Sequence, residues 1–210
     1  MVLLYDKIEE LHRIFRGKYY KKNMRGISVF KFKRKPAFAR LGKESFVYNP
    51  FVISGSESIA IGDHVTILDN ARISVYEQKE RGLVVQIDDG CYIGYYFSLL
   101  AKAKVHIEKN VLIASHVLIS SENHGMNPEC NEYYMDQPLV GKEVKVGEGT
   151  WIGEKVCILP GVQIGKKCVI GAGSVVTKSI PDYCIAAGNP ARVIKKWDFT
   201  RHEWVPAGTR

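Results

Sequence analysis

Two parts of this sequence carry the side chains that are best suited to chemistry. They are the histidines and a basic stretch near the C-terminus. Of the six histidines, His124 stands in the run LISSENHGMN. An imidazole accepts a proton near neutral pH and can therefore serve as a general base. The basic stretch, GAGSVVTKSIPDYCIAAGNPARVIKK, carries Lys178, Arg192 and Lys195, and cations of this kind bind phosphate groups. A fold must bring these side chains together before they can act.

A six-residue period supplies that fold. From Val146 it runs without a slip through VGEGTW, IGEKVC, ILPGVQ, IGKKCV, IGAGSV and VTKSIP. The first position is always Val or Ile, and the fifth is always uncharged. In a strand, the fifth residue and the next first residue are two apart, so both point to one side. An α-helix turns every ~3.6 residues, so this period would scatter the aliphatic side chains around its surface. The hexads therefore predict strands and an all-β fold.

Each hexad is predicted to form one short strand and one turn, and three hexads close one triangular coil. Glycine is common at the second position, where it is expected to allow the backbone angles of a sharp corner. Stacked coils lie at the ~4.8 Å spacing of hydrogen-bonded strands, so their interior aliphatic side chains form ladders.

The same period recurs earlier in sets of three hexads, and additional residues follow each third hexad. The first positions of these hexads are Ile61, Ile67 and Ile73; Ile87, Ile93 and Leu99; and Ile107, Ile113 and Ile119. If three faces make one coil, all the additional segments emerge from one edge of the prism. The longest of them, residues 120–145, is expected to form a protruding loop there. We interpret the five other histidines as surface or corner residues: His12, His64, His106, His116 and His202.

Composition indicates a soluble protein with one main domain. The chain has 210 residues, of which 46% are hydrophobic and 25% charged, which is typical of globular proteins. Its start, MVLLYDKIEELHR, lacks the long apolar stretch of a secretory signal. The longest uncharged apolar run, near residues 111–121, is shorter than the ~20 residues that span a bilayer. Five cysteines occur without a CxxC pair, so we expect reduced thiols and a cytoplasmic location.

The positive charge is concentrated in the first part of the chain. Residues 1–43 contain 13 Lys or Arg and 3 Asp or Glu. Within them, Leu4, Ile8, Leu11 and Phe15 recur at helical spacing, which predicts a short amphipathic helix over residues 3–16. Two roles stay open: a cap on the open end of the prism, or peripheral contact of residues 1–22 with an anionic inner membrane surface. The predicted domains are a basic helix and connection over 1–45, the prism over 46–181 and a tail over 182–210 that folds over the last coil.

The hexad array, its interrupting loop, and IGAGSVVTK followed by AAGNPARVI resemble the hexapeptide-repeat acyltransferases. The resemblance covers about residues 46–197 and is closest to galactoside, maltose and polysaccharide O-acetyltransferases. It implies a left-handed parallel β-helix, a homotrimer, and acetyl-CoA as co-substrate in the groove between neighbouring prisms. It also implies that His124 is the general base and that the chemistry requires no metal.

The resemblance implies binding residues by position. The implied coenzyme A contacts are Ala172, Thr177, Lys178, Arg192, Lys195 and Trp151. Trp151 is expected to line the groove for pantetheine or to pack against the adjacent subunit. Tyr92 aligns with an acceptor-side tyrosine, but Gly94 and Lys102 stand where galactoside-type enzymes place an Asn and an Asp. A simple galactoside or maltose acceptor is therefore not expected.

The predicted function is acetyl-CoA-dependent O-acetylation of a sugar hydroxyl, most naturally in polysaccharide biosynthesis. One alternative is N-acetylation of an amino sugar, or acetylation of a xenobiotic. A second is the β-helical carbonic anhydrase, which binds zinc through three histidines, whereas only His116 and His124 lie near the expected region here. A third is a non-enzymatic trimer that binds polyanions through its basic N-terminus. No recognised nucleic-acid motif accompanies that charge, so nucleic acid is not expected as a partner.

Overall fold

The computed structural model describes residues 36–76 and 82–208, and these residues form short strands joined by turns. A 3-10 turn at Ser56–Ser58 is the one helical element in these two ranges. No helix within them is long and apolar enough to cross a bilayer. The helix expected for residues 3–16, and the membrane contact expected for residues 1–22, lie outside the described residues.

The strands are Arg40–Leu41 (β1), Phe46–Val47 (β2), Val52–Ser54 (β3), Ile59–Ile61 (β4), Thr66–Ile67 (β5), Arg72–Val75 (β6), Val85–Ile87 (β7), Tyr92–Ile93 (β8), Ser98–Ala101 (β9), Val105–Ile107 (β10), Leu112–Ile113 (β11), Leu118–Ser120 (β12), Glu122–Asn123 (β13), Val140–Gly141 (β14), Val144–Val146 (β15), Trp151–Ile152 (β16), Cys157–Ile158 (β17), Gln163–Ile164 (β18), Val169–Ile170 (β19), Val175–Val176 (β20), Cys184–Gly188 (β21), Ala191–Asp198 (β22) and Glu203–Pro206 (β23).

Three sheets form the faces of a prism. The first face is β1, β4, β7, β10, β15 and β18; the second is β2, β5, β8, β11, β16, β19, β21, β22 and β23; the third is β3, β6, β9, β12, β17 and β20. Neighbouring strands pair in parallel as far as β21. Because the chain visits the three faces in turn, each circuit adds one rung to each sheet. The three-sided coil predicted from the hexads is confirmed, and the fold is the left-handed parallel β-helix that the family resemblance implies.

The core consists of the first and fifth positions of the hexads. Ile61, Ile87, Ile107, Val146 and Ile164 stand in register on the first face, and each is at most 1% exposed. Each such side chain contributes roughly 1.5–3 kcal/mol through burial.

Two fifth positions in the core are polar, and both hydroxyls are hydrogen-bonded. Thr150 Oγ1 donates to Gly165 O at 2.8 Å and accepts from Cys168 N at 3.0 Å. Ser174 Oγ donates to Gly171 O at 2.6 Å. The core therefore accommodates hydroxyl groups without leaving them unpaired.

The role expected for the second-position glycines was wrong. The left-handed backbone angles fall at the fourth position, as at Asn110 (φ 56°), His116 (φ 60°) and Lys167 (φ 52°). The second-position glycines are instead required by close approach of the next coil. A Cβ added at Gly147 would lie 2.5 Å from the carbonyl carbon of Gly165. Glycine is therefore required at the second position by the close packing of successive coils, and not by the backbone angles of the corner.

The insertions emerge from a single edge, as predicted. The segments between β6 and β7, between β9 and β10, and between β12 and β15 all connect the third face to the first. We call this edge the third–first edge. It carries the loop of residues 121–143, which we call the protruding loop.

The two ends of the prism differ from the predicted boundaries. The first rung of the first face is Arg40–Leu41, which precedes the boundary expected at residue 46. In the tail, β21 adds a parallel rung next to β19, and β22 and β23 continue the second face in antiparallel pairing. Trp197 and Trp204 face each other across the last pair, with ring centroids 5.3 Å apart. The tail thus extends the second face.

Candidate active site

The base of the protruding loop is fixed to the prism. β13 pairs with β14 in antiparallel fashion, and Ser121 links this hairpin to the insertion below it. Ser121 Oγ donates to Ala103 O at 2.7 Å and accepts from Ala103 N at 3.2 Å. The carbonyl of Ser121 accepts a hydrogen bond from Lys142 N at 3.0 Å. The loop therefore begins and ends at a fixed place on the third–first edge.

His124 directly follows β13 and is exposed. No hydrogen bond joins its imidazole to any residue in the two described ranges. The next residue, Gly125, packs closely on the buried Gln137, since a Cβ at position 125 would lie 2.8 Å from the Gln137 side chain. His124 is thus held at the backbone on both sides while its ring stays accessible.

Gln137 closes the rest of the loop. Its Oε1 accepts from Asn127 N at 3.1 Å, and its Nε2 donates to Asn127 O and to Glu132 O, each at 3.1 Å. One buried amide therefore joins the two limbs of the loop beyond His124. Fixed limbs place a general base more accurately than a free loop does.

Two residues before His124, the backbone of Glu122 is also fixed. Ser120 Oγ donates to Glu122 O at 2.8 Å and accepts from Glu122 N at 3.2 Å. The carboxylate oxygen Oε2 of Glu122 is buried and has no hydrogen-bond partner among the described residues.

Thr177 and Lys178, which are expected to contact coenzyme A, share the third–first edge with His124 and Lys142. Thr177 and Lys178 directly follow β20, and β12, β17 and β20 are successive rungs. Lys178 therefore lies about 10 Å along the axis from the level of His124. Lys142 passes between these levels, because a Cβ at Gly161 would lie 3.3 Å from Lys142 Cδ. Sequence reasoning missed Lys142, since nothing in the hexads marks a lysine inside the loop.

The remaining predicted residues lie elsewhere on the same chain. Tyr92 and Trp151 are outward residues of the second face, on either side of Leu112 in register. Lys195, on β22, stands opposite Ile185. Trp151 is 51% exposed, so it is available for contact with another molecule.

Ala172 and Arg192 lie near the corner between the second and third faces. Ala172 is in the turn that follows β19. Arg192 stands opposite Ala187, and a Cβ at Gly171 would lie 2.9 Å from Ala187 Cβ. The residues predicted to bind coenzyme A therefore form two sets on one chain. Thr177 and Lys178 lie on the third–first edge with His124. The other set lies at the second–third corner and on the second face, and the width of the third face separates that corner from His124.

The other described histidines of the prism are engaged in local structure. His106 Nε2 lies 2.9 Å from Asp88 Oδ2 on the first face. His116 stacks on Tyr96 at the second–third corner, with ring centroids 4.8 Å apart. His116 and His124 thus lie on different edges. Within residues 36–76 and 82–208, no three His, Cys, Asp or Glu side chains group as metal ligands.

Comparison with known proteins places this geometry in a family. The family model for the bacterial transferase hexapeptide (six repeats) matches residues 143–178. The chain is 33% identical over 166 residues to a putative lipopolysaccharide biosynthesis O-acetyl transferase of Escherichia coli (strain K12), covering 75% of this chain and 82% of the relative. It is 34% identical over 148 residues to the galactoside O-acetyltransferase of the same strain, covering 70% and 71%. It is 41% identical over 115 residues to a putative acetyltransferase of Saccharomyces cerevisiae. This match covers 55% of this chain and 57% of the relative.

Solved structures with the same fold include acyltransferases of two kinds. A maltose O-acetyltransferase from Clostridium difficile 630 superposes with a TM-score of 0.54 at 28% identity, covering 85% of this chain and 84% of that one. An N-acyltransferase from Bacillus cereus, in complex with dTDP and 3-hydroxybutyryl-CoA, superposes with a TM-score of 0.60 at 25% identity, covering 78% and 86%.

The hexads match the family model, and the three-faced parallel β-helix is shared with solved acyltransferases, so repeat and fold together define a class of acyl-transferring enzymes. This chain belongs to that class, the hexapeptide-repeat acyltransferase family, and it is an acetyltransferase. The donor of the Bacillus cereus enzyme is an acyl-CoA, which is the kind of donor that the sequence predicts here.

Proposed function

We propose that this protein transfers an acetyl group from acetyl-CoA to a hydroxyl group of a sugar or polysaccharide, with His124 as the general base. The observation that carries the proposal is the exposed imidazole of His124, held between the β13–β14 hairpin and the Gln137 amide. The relatives named for lipopolysaccharide and galactoside O-acetylation support this class of acceptor.

In the proposed reaction, Nε2 of His124 accepts the proton of the acceptor hydroxyl. The oxygen attacks the thioester carbonyl, and the negative charge of the tetrahedral intermediate is stabilised by hydrogen-bond donors such as backbone N–H groups. The carbon–sulfur bond then breaks, and the imidazolium returns its proton to the leaving thiolate.

The cations of the site fit the charge of the donor. Coenzyme A carries a pyrophosphate and a 3′-phosphate. Lys142 and Lys178 on the third–first edge, and Arg192 and Lys195 on β22, are exposed and can bind these groups. Thr177 offers a hydroxyl beside Lys178.

A homotrimer is part of the proposal, because the two sets of predicted residues do not meet within one chain. In a trimer, the third–first edge of one subunit faces the second face of the next, which brings His124 opposite Trp151 and Tyr92 of the neighbour. The apolar, exposed side chains of the second face, Phe46, Leu112 and Trp151, support this arrangement because an interface core is depleted in charge.

The test is release of thiol from acetyl-CoA in the presence of a panel of sugars and amines. We expect release with sugar hydroxyls, and a loss of about a hundredfold or more in kcat for His124→Ala, since a general base contributes roughly 10²–10⁴ in rate. His116→Ala is the matched control, because that imidazole lies at another corner. Full activity of His124→Ala would remove the basis of the proposal.

A second candidate is N-acylation of an amino sugar. The similarity to the Bacillus cereus N-acyltransferase favours it. The amines in the panel decide between the two, since an N-acetyltransferase would release thiol with amino sugars and not with their hydroxyl analogues. Cytoplasmic location and contact of residues 1–22 with a membrane surface stay predictions.

A further inference from the structure

The carboxylate of Glu122 is the unusual polar group of the protruding loop. Oε2 is the one side-chain nitrogen or oxygen, among the described residues, that is buried without a hydrogen-bond partner. Leaving a buried acceptor unpaired is costly, and the cost is larger for a charged group. A carboxylate kept in this position therefore points to a donor that reaches it during function.

The backbone around Glu122 is fixed by the hairpin and by a neighbouring hydroxyl group. Ser120 Oγ bonds both the carbonyl and the amide of Glu122, and Glu122 pairs with Gly141 across the hairpin. A Cβ at Gly141 would meet Ala103 Cβ at 2.9 Å, so the hairpin lies directly on the insertion below it. The position of the Glu122 main chain is thus set from two sides.

His124 is the imidazole nearest to Glu122 along the chain. His124 directly follows β13 and stands two residues after Glu122, and residues two apart on an extended segment direct their side chains to the same side. The imidazole makes no hydrogen bond to any described residue, so rotation of its side chain breaks no contact. One nitrogen of a neutral imidazole is a donor and the other is an acceptor.

We propose that Glu122 is a positioning residue for His124: its Oε2 accepts a hydrogen bond from Nδ1–H of the imidazole, which leaves Nε2 unprotonated and directed at the acceptor. This inference rests on the proposed role of His124 as the base. The proton of the acceptor hydroxyl moves to Nε2, and no proton moves to Glu122. When the carbon–sulfur bond breaks, the Nε2 proton goes to the thiolate, and the Nδ1–H bond to Glu122 is unchanged throughout.

Lysines surround the hairpin that carries Glu122. Lys102 and Lys104 lie on the shorter insertion, and Lys142 and Glu143 follow β14. A Cβ at Gly141, the partner of Glu122, would lie 2.9 Å from Lys102 Cγ. The three lysines therefore outnumber Glu143 around the hairpin.

The test compares Glu122→Gln with Glu129→Gln, an exposed glutamate of the same loop, by thiol release from acetyl-CoA with the best acceptor of the panel. We expect Glu122→Gln to lower kcat roughly tenfold to a hundredfold, a part of what the base itself contributes, with little change in KM for acetyl-CoA. The ascending limb of its pH profile should move to lower pH, because loss of a neighbouring negative charge lowers the pKa of an imidazole. Glu129→Gln should match the unaltered protein.

A purely structural role for Glu122 predicts different results. Loss of a structural contact would lower the melting temperature of Glu122→Gln and leave the pH profile in place, and this outcome would overturn the proposal. Unchanged kcat and pH profile in a folded Glu122→Gln would also overturn it. Neither result touches the proposed function, which is tested by His124→Ala.

A measurement on the unaltered protein decides the matter if Glu122→Gln does not fold. Nitrogen-15 NMR of the histidines distinguishes the two neutral tautomers, and the His124 signal is identified by its loss in His124→Ala. The proposal requires the tautomer that carries its proton on Nδ1. Predominance of the Nε2–H tautomer would overturn it.

Discussion

On the first face, the outward side chains of successive strands are mostly polar, whereas on the second face they are mostly apolar. The outward ladder of the first face is Arg40, Ala60, Gln86, His106, Lys145 and Gln163. That of the second face is Phe46, Thr66, Tyr92, Leu112, Trp151, Val169 and Ile185. Both faces have the same buried aliphatic ladder inside. The interior pattern thus specifies the coil, and the exterior pattern is left to specify what each face contacts.

The polar side chains of the first face are satisfied by their neighbours. Arg40 Nη2 lies 3.0 Å from Asp63 Oδ1, and Lys145 Nζ lies 2.7 Å from Glu108 Oε1. This face also bears a depression of about 460 Å³ near Gln86, well away from His124. A face whose charges are paired locally and hydrated would lose hydration in an interface. The second face would lose little hydration in an interface, and for this reason the proposed subunit contact lies on it.

Removing an interior side chain should have the largest effect, and the effect should be the same on both faces. Ile113, on the second face, has no exposed surface, and Ile113→Ala leaves a cavity. We expect the free energy of unfolding, measured by urea denaturation, to fall by about 2–5 kcal/mol. Ile107→Ala should cost a similar amount on the first face. Losses that differ strongly between the two would show that the faces do not share one packed core.

A charge on the outside of the second face should break the assembly and the activity together. Leu112 is 44% exposed and lies between Tyr92 and Trp151. Leu112→Glu places a carboxylate in the proposed interface, and we expect dissociation in sedimentation analysis and a loss of about a hundredfold in kcat/KM, equivalent to ~2.7 kcal/mol. Gln163→Glu, the same new charge on the first face, should leave both unchanged. Retention of the assembly and activity by Leu112→Glu would reassign the interface.

The ion pairs of the first face should contribute least to the free energy of unfolding, and they should do so only above the acidic pH range. The hydrogen bond from Lys145, opposed by burial, lowers the pKa of Glu108 below its usual value. A carboxyl with a lowered folded-state pKa stabilises the fold above its unfolded pKa of about 4.3, and the contribution disappears as pH falls through the folded value. Lys145→Met should cost under about 1 kcal/mol at pH 7. In strong acid, Lys145→Met and the unaltered protein should have the same free energy of unfolding, measured by urea denaturation. A difference that persists there would mean that Lys145 acts through packing.

Much of the fold could be predicted because it depends on a short sequence pattern that recurs along the chain. Val or Ile at every sixth position fixes the strands, the faces and the edge from which the insertions emerge. The function of the glycines could not be inferred in this way. Gly147 is required by the backbone of Gly165, a contact between successive coils that a single hexad does not show.

The candidate site was predictable only in part. His124 was identified by its place in a family pattern, whereas the groups that hold it were not. Ser121 bonds Ala103, and Gln137 bonds Asn127, and neither pair has a characteristic spacing. The protruding loop has no period, so its hydrogen bonds depend on a three-dimensional path that the sequence alone does not reveal.

The antiparallel tail also determines how the molecule ends. The exposed edge of a parallel β-helix carries unpaired backbone groups, which can template the addition of further chains. Here the second face finishes in β22 and β23, whose direction alternates, and β22 carries Lys195 and Lys196. Pro206 at the end of β23 removes a backbone donor from the outermost strand. The outermost strand of the second face is therefore a poor template for a further strand.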